Sequence, residues 1–148
     1  MERTCIIIKP DGVKRNLIGE IINRLEREGL SVRAIKMINA EVKTLRKHYS
    51  AHIDKHFYRG LEAYLMEGPI VAMVFEGFEA VKKSRKIVGH TDPGQAGKGT
   101  IRGDLGKDSL EIADREKRSV RNLIHASGTK DEADTEIGLW FKKEEILE

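Results

Sequence analysis

Residues 69–77 read PIVAMVFEG. Pro69 and Gly77 punctuate a run that stays apolar from Ile70 to Phe75. A short apolar run bounded by turn residues and rich in branched and aromatic side chains reads as a continuous strand. Working outward, RTCIII at 3–8 forms a second apolar run, a buried strand closed by the turn KPDG. LSVRAIKMINA at 30–40 partly alternates and reads as a half-buried strand, and LIHAS at 123–127 is short and strand-like. Between these runs the spacing changes to that of helices. Leu17, Ile18, Ile21, Ile22 and Leu25 share one helical face over 13–28, and Gly29 stops it. Further helices are predicted over 42–51, 55–66, 78–89, 108–122 and 131–141. The stretch 89–106 carries seven of the glycines and prolines and reads as a long loop, which in a compact domain is usually functional. The order β-α-β-(α)-β-α-loop-α-β-α gives an α/β or α+β sandwich, and fixes neither strand direction nor topology. The 148 residues are read as one domain, with no repeat or linker.

Composition excludes several classes of function. The net charge is +3 with acids and bases both abundant, a mixed solvated surface rather than the basic stripe of a nucleic-acid binder. Aromatic residues are few, which argues against a stacking platform for single strands. No apolar run approaches the ~18 residues of a membrane helix. The start, MERTCIII, lacks the pattern of a secretory signal, and the single cysteine, Cys5, allows no internal disulfide; a cytoplasmic location is expected.

Candidate chemistry lies near the turns. GQAGKGT at 94–100 is a near miss for a phosphate-cradling loop: Asp92 stands where the first glycine belongs, and Gly99 follows Lys98 where Ser or Thr is required. His48, His52 and His56 recur every four residues and could hold zinc on one unbroken helix, but Asp54-Lys55 marks a helix boundary, so they read as solvated. Lys9, Arg85 and Arg102 each sit at a segment end, and together with the glycine-rich loop they point to an oxyanion site. In RNLIHASG, 121–128, His125 ends an apolar run, and local sequence leaves it open whether this is a core residue or a nucleophile.

Taken together, IIIKPDGV, HYSAH with HFYRGL, GPIVAMVFEG, TDP with GTIRGD, RNLIHAS and EIGLWF resemble, in order and spacing, the nucleoside diphosphate kinases over nearly the whole chain. That resemblance implies a ferredoxin-like α+β fold, a four-stranded antiparallel sheet with helices on one face. It implies ping-pong transfer of a γ-phosphoryl group from a nucleoside triphosphate to a diphosphate through phosphorylated His125, attacking through Nδ1. Glu136 orients the ring and Ser127 holds Glu136. Phe57 and Leu61 contact the base, with residues 112–118 nearby. Lys9, Tyr49, Arg85, Thr91, Arg102 and Asn122 contact the phosphates, and Lys9 and Asn122 also the ribose. Mg²⁺ arrives with the nucleotide, bound through phosphate oxygens rather than protein side chains. A homo-oligomer is implied, a hexamer in preference to a tetramer, with the 89–100 loop at subunit contacts.

Three departures from the family pattern stand out. A charged segment near 106–118 is extra, HGSD reads HASG with Ala126 and Gly128, and the tail, FKKEEILE, is short, which would loosen a hexamer. A second class of function, a nucleotide-binding regulatory module with the same fold, is the alternative, since fold alone does not fix activity.

Overall fold

The computed structural model describes residues 1–148. Four strands form one antiparallel sheet: β1 (Glu2–Ile8), β2 (Ser31–Ile38), β3 (Ile70–Gly77) and β4 (Ile124–Ala126), in the order β2-β3-β1-β4. β1 and β3 are central, pairing from Glu2↔Gly77 to Ile8↔Val71. β4 pairs on the other side of β1, placing His125 opposite Ile7.

The two central strands are apolar at successive positions, so both faces of the sheet must be covered. On one face Ile6, Ile8, Met73 and Phe75 meet Ile21 and Leu25 of α2 (Ile18–Arg27) and Ala80 and Val88 of α5 (Ala80–Val88). On the other, Cys5, Ile7, Ala72 and Val74 meet Leu45 of α3 (Val42–His48), Leu65 of α4 (Tyr58–Leu65) and Trp140 of α8 (Lys130–Trp140). The antiparallel sheet with α2 and α5 on one face is the ferredoxin-like plan expected. The layer of α3, α4 and α8 is added to it, because the second face of β1 and β3 is as apolar as the first. Each of these large aliphatic side chains, fully buried, contributes about 1.5–3 kcal/mol.

Three expectations shift. The helix predicted over 13–28 is split: α1 (Pro10–Lys14) follows β1 directly, and Asn16 at φ 61° breaks the chain before α2. The loop predicted over 89–106 contains α6 (Ile101–Leu105), whose N-cap Thr100 accepts a hydrogen bond from the Gly103 N–H. The charged segment forms α7 (Leu110–Arg115), shorter than predicted. Its base is tied by Asp108, which accepts two hydrogen bonds from Arg118 at 2.6 and 2.9 Å and one from the Arg121 N–H at 2.7 Å. No helix is long and apolar enough to cross a membrane.

Candidate active site

His125 lies on the face of the sheet that carries α3 and α8. Its Nε2 is 2.8 Å from Glu136 Oε1, and its side chain keeps 17% of its surface accessible. Glu136 belongs to α8, which packs on β1 and α3 on that face. The same Oε1 accepts from Ser127 Oγ at 2.7 Å. Ser127 is completely buried and stapled to β1, with its Oγ accepting from Cys5 N at 3.1 Å. Burial opposes ionisation of Glu136, but His125, His48 and Ser127 more than offset it, and its pKa falls below the usual carboxylate value. Glu136 is therefore an anion that only accepts, so the proton of this contact resides on His125 Nε2. Nδ1 is left as the ring nitrogen with a free lone pair.

The backbone before His125 is held under strain. Leu123 has φ 70°, and Ile124 N donates back to Asn122 O at 2.8 Å, a γ-turn of the rare positive-φ kind. Four groups fix this turn. Lys9 N donates to Leu123 O at 2.8 Å, and Leu123 N donates to Asp11 Oδ2 at 3.2 Å. Tyr64, on α4, donates its hydroxyl to the other oxygen of Asp11. Arg102 donates to Asn122 O at 3.1 Å and Ile124 O at 2.5 Å on either side of the turn, and to Gly89 O at 3.1 Å. α1 reaches the turn closely because Gly12 has no side chain: a Cβ there would lie 2.7 Å from Ile8 Cγ2 and 3.2 Å from Leu123 O.

The turn draws together most of the cationic and amide groups expected at the site. Lys9 Nζ, only 6% exposed, donates to Asn122 Oδ1 at 2.7 Å, and Asn122 Nδ2 donates to Thr91 O at 3.1 Å. Burial, and then Arg102, pull the Lys9 amine down to about 7, against a smaller upward pull from Asp11. Burial and Arg85 likewise lower Arg102 to about 10. Arg85, on α5, donates to Ala126 O at 3.3 Å and, with Tyr49, lines a cavity of about 740 Å³ beside His125. Burial raises the pKa of the Tyr49 hydroxyl, which stays a donor. Phe57, at the start of α4, leaves 44% of its surface exposed, while Leu61 packs into the α3–α8 layer.

Two residues behave differently from the sequence reading. His48 is not solvated: its side chain is completely buried, and its ring packs edge-on against His125 with centroids 4.5 Å apart. α3 ends at His48, so His48, His52 and His56 share no helical face. Arg102, taken as a phosphate ligand, already serves three carbonyls, which makes it a scaffold for the turn as well. Asp11 escaped notice in the sequence; its place in KPDG, directly after Lys9, is the signal that could have marked it. At the altered HASG, Ala126 sits in regular strand, and the Gly128 N–H donates to Glu132 Oε2 at 3.0 Å.

Fold and site define an α+β protein of ferredoxin-like plan that sets a histidine–glutamate couple beside a group of buried cations. Residues 2–146 match the family model described as nucleoside diphosphate kinase. A nucleoside diphosphate kinase of Pyrococcus horikoshii is 48% identical over 99% of this chain and 89% of its own length, and one of Staphylococcus saprophyticus is 46% identical over 100% and 93%. Among solved structures, the Borrelia burgdorferi nucleoside-diphosphate kinase, a transition-state mimic with bound vanadate and ADP, superposes with a TM-score of 0.94. It is 38% identical, with 99% of this chain and 90% of that one covered. The chain belongs to the nucleoside diphosphate kinase family, and it is a phosphotransferase.

Proposed function

We propose that His125 carries the phosphoryl group between a nucleoside triphosphate and a nucleoside diphosphate. The observation that carries this reading is the His125 Nε2–Glu136 contact at 2.8 Å, which fixes the ring proton and leaves Nδ1 nucleophilic. In the first half-reaction the Nδ1 lone pair attacks the γ-phosphorus. The bond from phosphorus to the β–γ bridging oxygen breaks, and its electron pair leaves on the diphosphate. The ring gains positive charge while Nε2–H stays bonded to Glu136, whose anion stabilises that charge. In the second half-reaction a terminal oxygen of the acceptor diphosphate attacks phosphorus, and the nitrogen–phosphorus bond returns its pair to Nδ1. One site serves both halves, so the kinetics are ping-pong.

Lys9, Arg85 and Arg102 neutralise charge on the transferring and leaving groups, with Tyr49, Thr91 and Asn122 supplying polar contacts. Lys9 and Asn122 also reach the ribose. The half-exposed Phe57 ring, with Leu61 behind it, offers the base a stacking surface that does not discriminate among bases. Mg²⁺ fits this site only as a partner of the nucleotide: the polar groups gathered at the turn are mostly cations and amides, so a hard ion would rely on phosphate oxygens and water. When bound it neutralises phosphate charge. The protein is further read as a cytoplasmic homo-oligomer, with a hexamer preferred over a tetramer.

The test is incubation with γ-labelled ATP followed by denaturation. Acid-labile, alkali-stable label on His125, lost in a folded His125→Ala variant that still binds ADP, is the expected result. A folded protein that takes no label is instead a nucleotide-binding regulatory module.

A further inference from the structure

His48 is buried beside His125 and has no part in the mechanism above. Its Nδ1 receives a hydrogen bond from Trp140 Nε1 at 2.9 Å. An indole nitrogen only donates, so Nδ1 must accept, and the proton of a neutral His48 sits on Nε2. Burial, reinforced by His125 and Lys9 against an opposing pull from Glu136, drops the His48 pKa to about 3, so the ring is neutral at physiological pH. Nε2 has no hydrogen-bond partner, although it is buried. It stands 3.6 Å from Glu136 Oε2, the oxygen that neither His125 nor Ser127 uses. A buried N–H without a partner costs about 1–3 kcal/mol, so its retention calls for a reason.

The nitrogens and carboxylate of His48, His125 and Glu136 lie within 4.8 Å of one another, a grouping that could suggest a metal site. Trp140 argues against it. The nitrogen of His48 that faces Glu136 carries a proton rather than a lone pair, and a ligating His48 would oppose its other N–H to the indole N–H. The group facing Glu136 is a donor.

We infer that His48 is a positioning residue for Glu136: its Nε2–H closes on Oε2 as His125 becomes phosphorylated, pinning the carboxylate toward the ring. The carboxylate then has both oxygens held, Oε1 by His125 and Ser127 and Oε2 by His48, and cannot rotate away as the ring turns cationic. Catalytic hydrogen bonds that are long in a free enzyme commonly tighten along the reaction. A neutral donor suits this place. It supports the anion without cancelling the charge that the phosphorylated ring needs opposite it. Trp140 in turn acts on His48 by fixing its tautomer.

This inference rests on His125 being the residue phosphorylated, and the experiment separates the two. The single-turnover rate of His125 labelling by γ-labelled ATP is measured for the unaltered protein, His48→Phe, Glu136→Ala and the double variant. His48→Phe keeps a flat ring and loses both hydrogen bonds. It should slow labelling about tenfold, as for the loss of a hydrogen bond to a charged group, with the half-saturating ATP concentration unchanged. In the Glu136→Ala background the same change should slow labelling less than about twofold. His48→Gln, whose carbonyl can accept from Trp140 and whose amide can donate to Glu136, should restore most of the rate. Trp140→Phe leaves His48 in place and gives a second cycle if His48→Phe does not fold. It should also slow labelling only when Glu136 is present. Equal slowing in both backgrounds, or a change confined to the ATP requirement, overturns the role of His48 while the phosphohistidine reading stands. Absence of label on His125 in the unaltered protein overturns both.

Discussion

Lys9 is the group whose charge the fold disfavours most usefully. Its amine sits at about 7, because burial and Arg102 penalise the cation. With that value the amine is charged to about 0.9 at pH 6 and about 0.25 at pH 7.5. A polyphosphate in the site supplies the missing counter-charge. An anion within about 4–6 Å raises such a pKa by roughly 1–3 units, to about 9. Binding of ADP with magnesium should then draw about 0.1 proton per site from solution at pH 6 and about 0.7 at pH 7.5. Titration calorimetry in buffers of different ionisation enthalpy measures this uptake directly. The Lys9→Met variant removes it, while titration of the nucleotide's own phosphate contributes equally to both proteins and cancels in the comparison. The same group predicts stability. Its folded pKa lies below its unfolded value of 10.5, so the cost of burying the cation is fully present below pH 7 and is relieved as pH rises toward 10.5. The whole span corresponds to about 5 kcal/mol. Free of nucleotide, Lys9→Met should therefore exceed the unaltered protein in stability at pH 6.5, and the margin should shrink by pH 9.5 in urea unfolding. Equal proton uptake by the two proteins, or an uptake larger at pH 6 than at pH 7.5, refutes the reasoning.

Three other substitutions probe the scaffold around His125. Ser127→Ala removes the bond to Glu136 and leaves the Cys5 N–H buried without its acceptor; stability should fall by about 1–3 kcal/mol in thermal denaturation and labelling of His125 should slow about tenfold. Gly12→Ala places a methyl 2.7 Å from Ile8 Cγ2 and pushes α1 off the γ-turn, costing about 1–3 kcal/mol in urea unfolding together with a lower exchange rate. Arg102→Ala should reduce phosphoryl transfer less than His125→Ala does, because Lys9 and Arg85 remain. It should also lower stability by about 3 kcal/mol, since three carbonyls lose a charged donor, and steady-state exchange with parallel melting curves separates the two effects.

How much of this is legible in the sequence follows from how far each signal reaches along the chain. PIVAMVFEG and RTCIII announce strands because their apolar character is local, and continuous rather than alternating. The pairing of β1 with β4 is not local, and His125↔Ile7 joins residues that nothing in either segment relates. α6 was concealed because Gly103 counts as a loop signal. Its real reason is contact, since a Cβ there would stand 2.0 Å from Gly97 O, so the glycine lets the helix form against the loop. The burial of His48 is hidden for the opposite reason. Its neighbours Arg46 and Lys47 are exposed, and only the packing of α8 on α3 buries the ring between Trp140 and His125. Leucine carries no mark of a positive φ, so the strained turn at Leu123 was invisible, although Lys9, Asp11, Arg102 and Asn122 all converge on it. These residues are individually ordinary surface types: Lys9 and Arg102 stand out only as cations at segment ends, Asn122 only through the family resemblance, and Asp11 not at all. The fold explains why they occur together. A turn held at a costly φ needs carbonyl acceptors met on every side, and the groups that meet them are the same cations and amides that a phosphate chain requires. On the proposed reading scaffold and phosphate site are one set of residues, so substitutions at the turn should move stability and transfer together, whereas substitutions at the His125–Glu136–His48 contact should move transfer far more than stability.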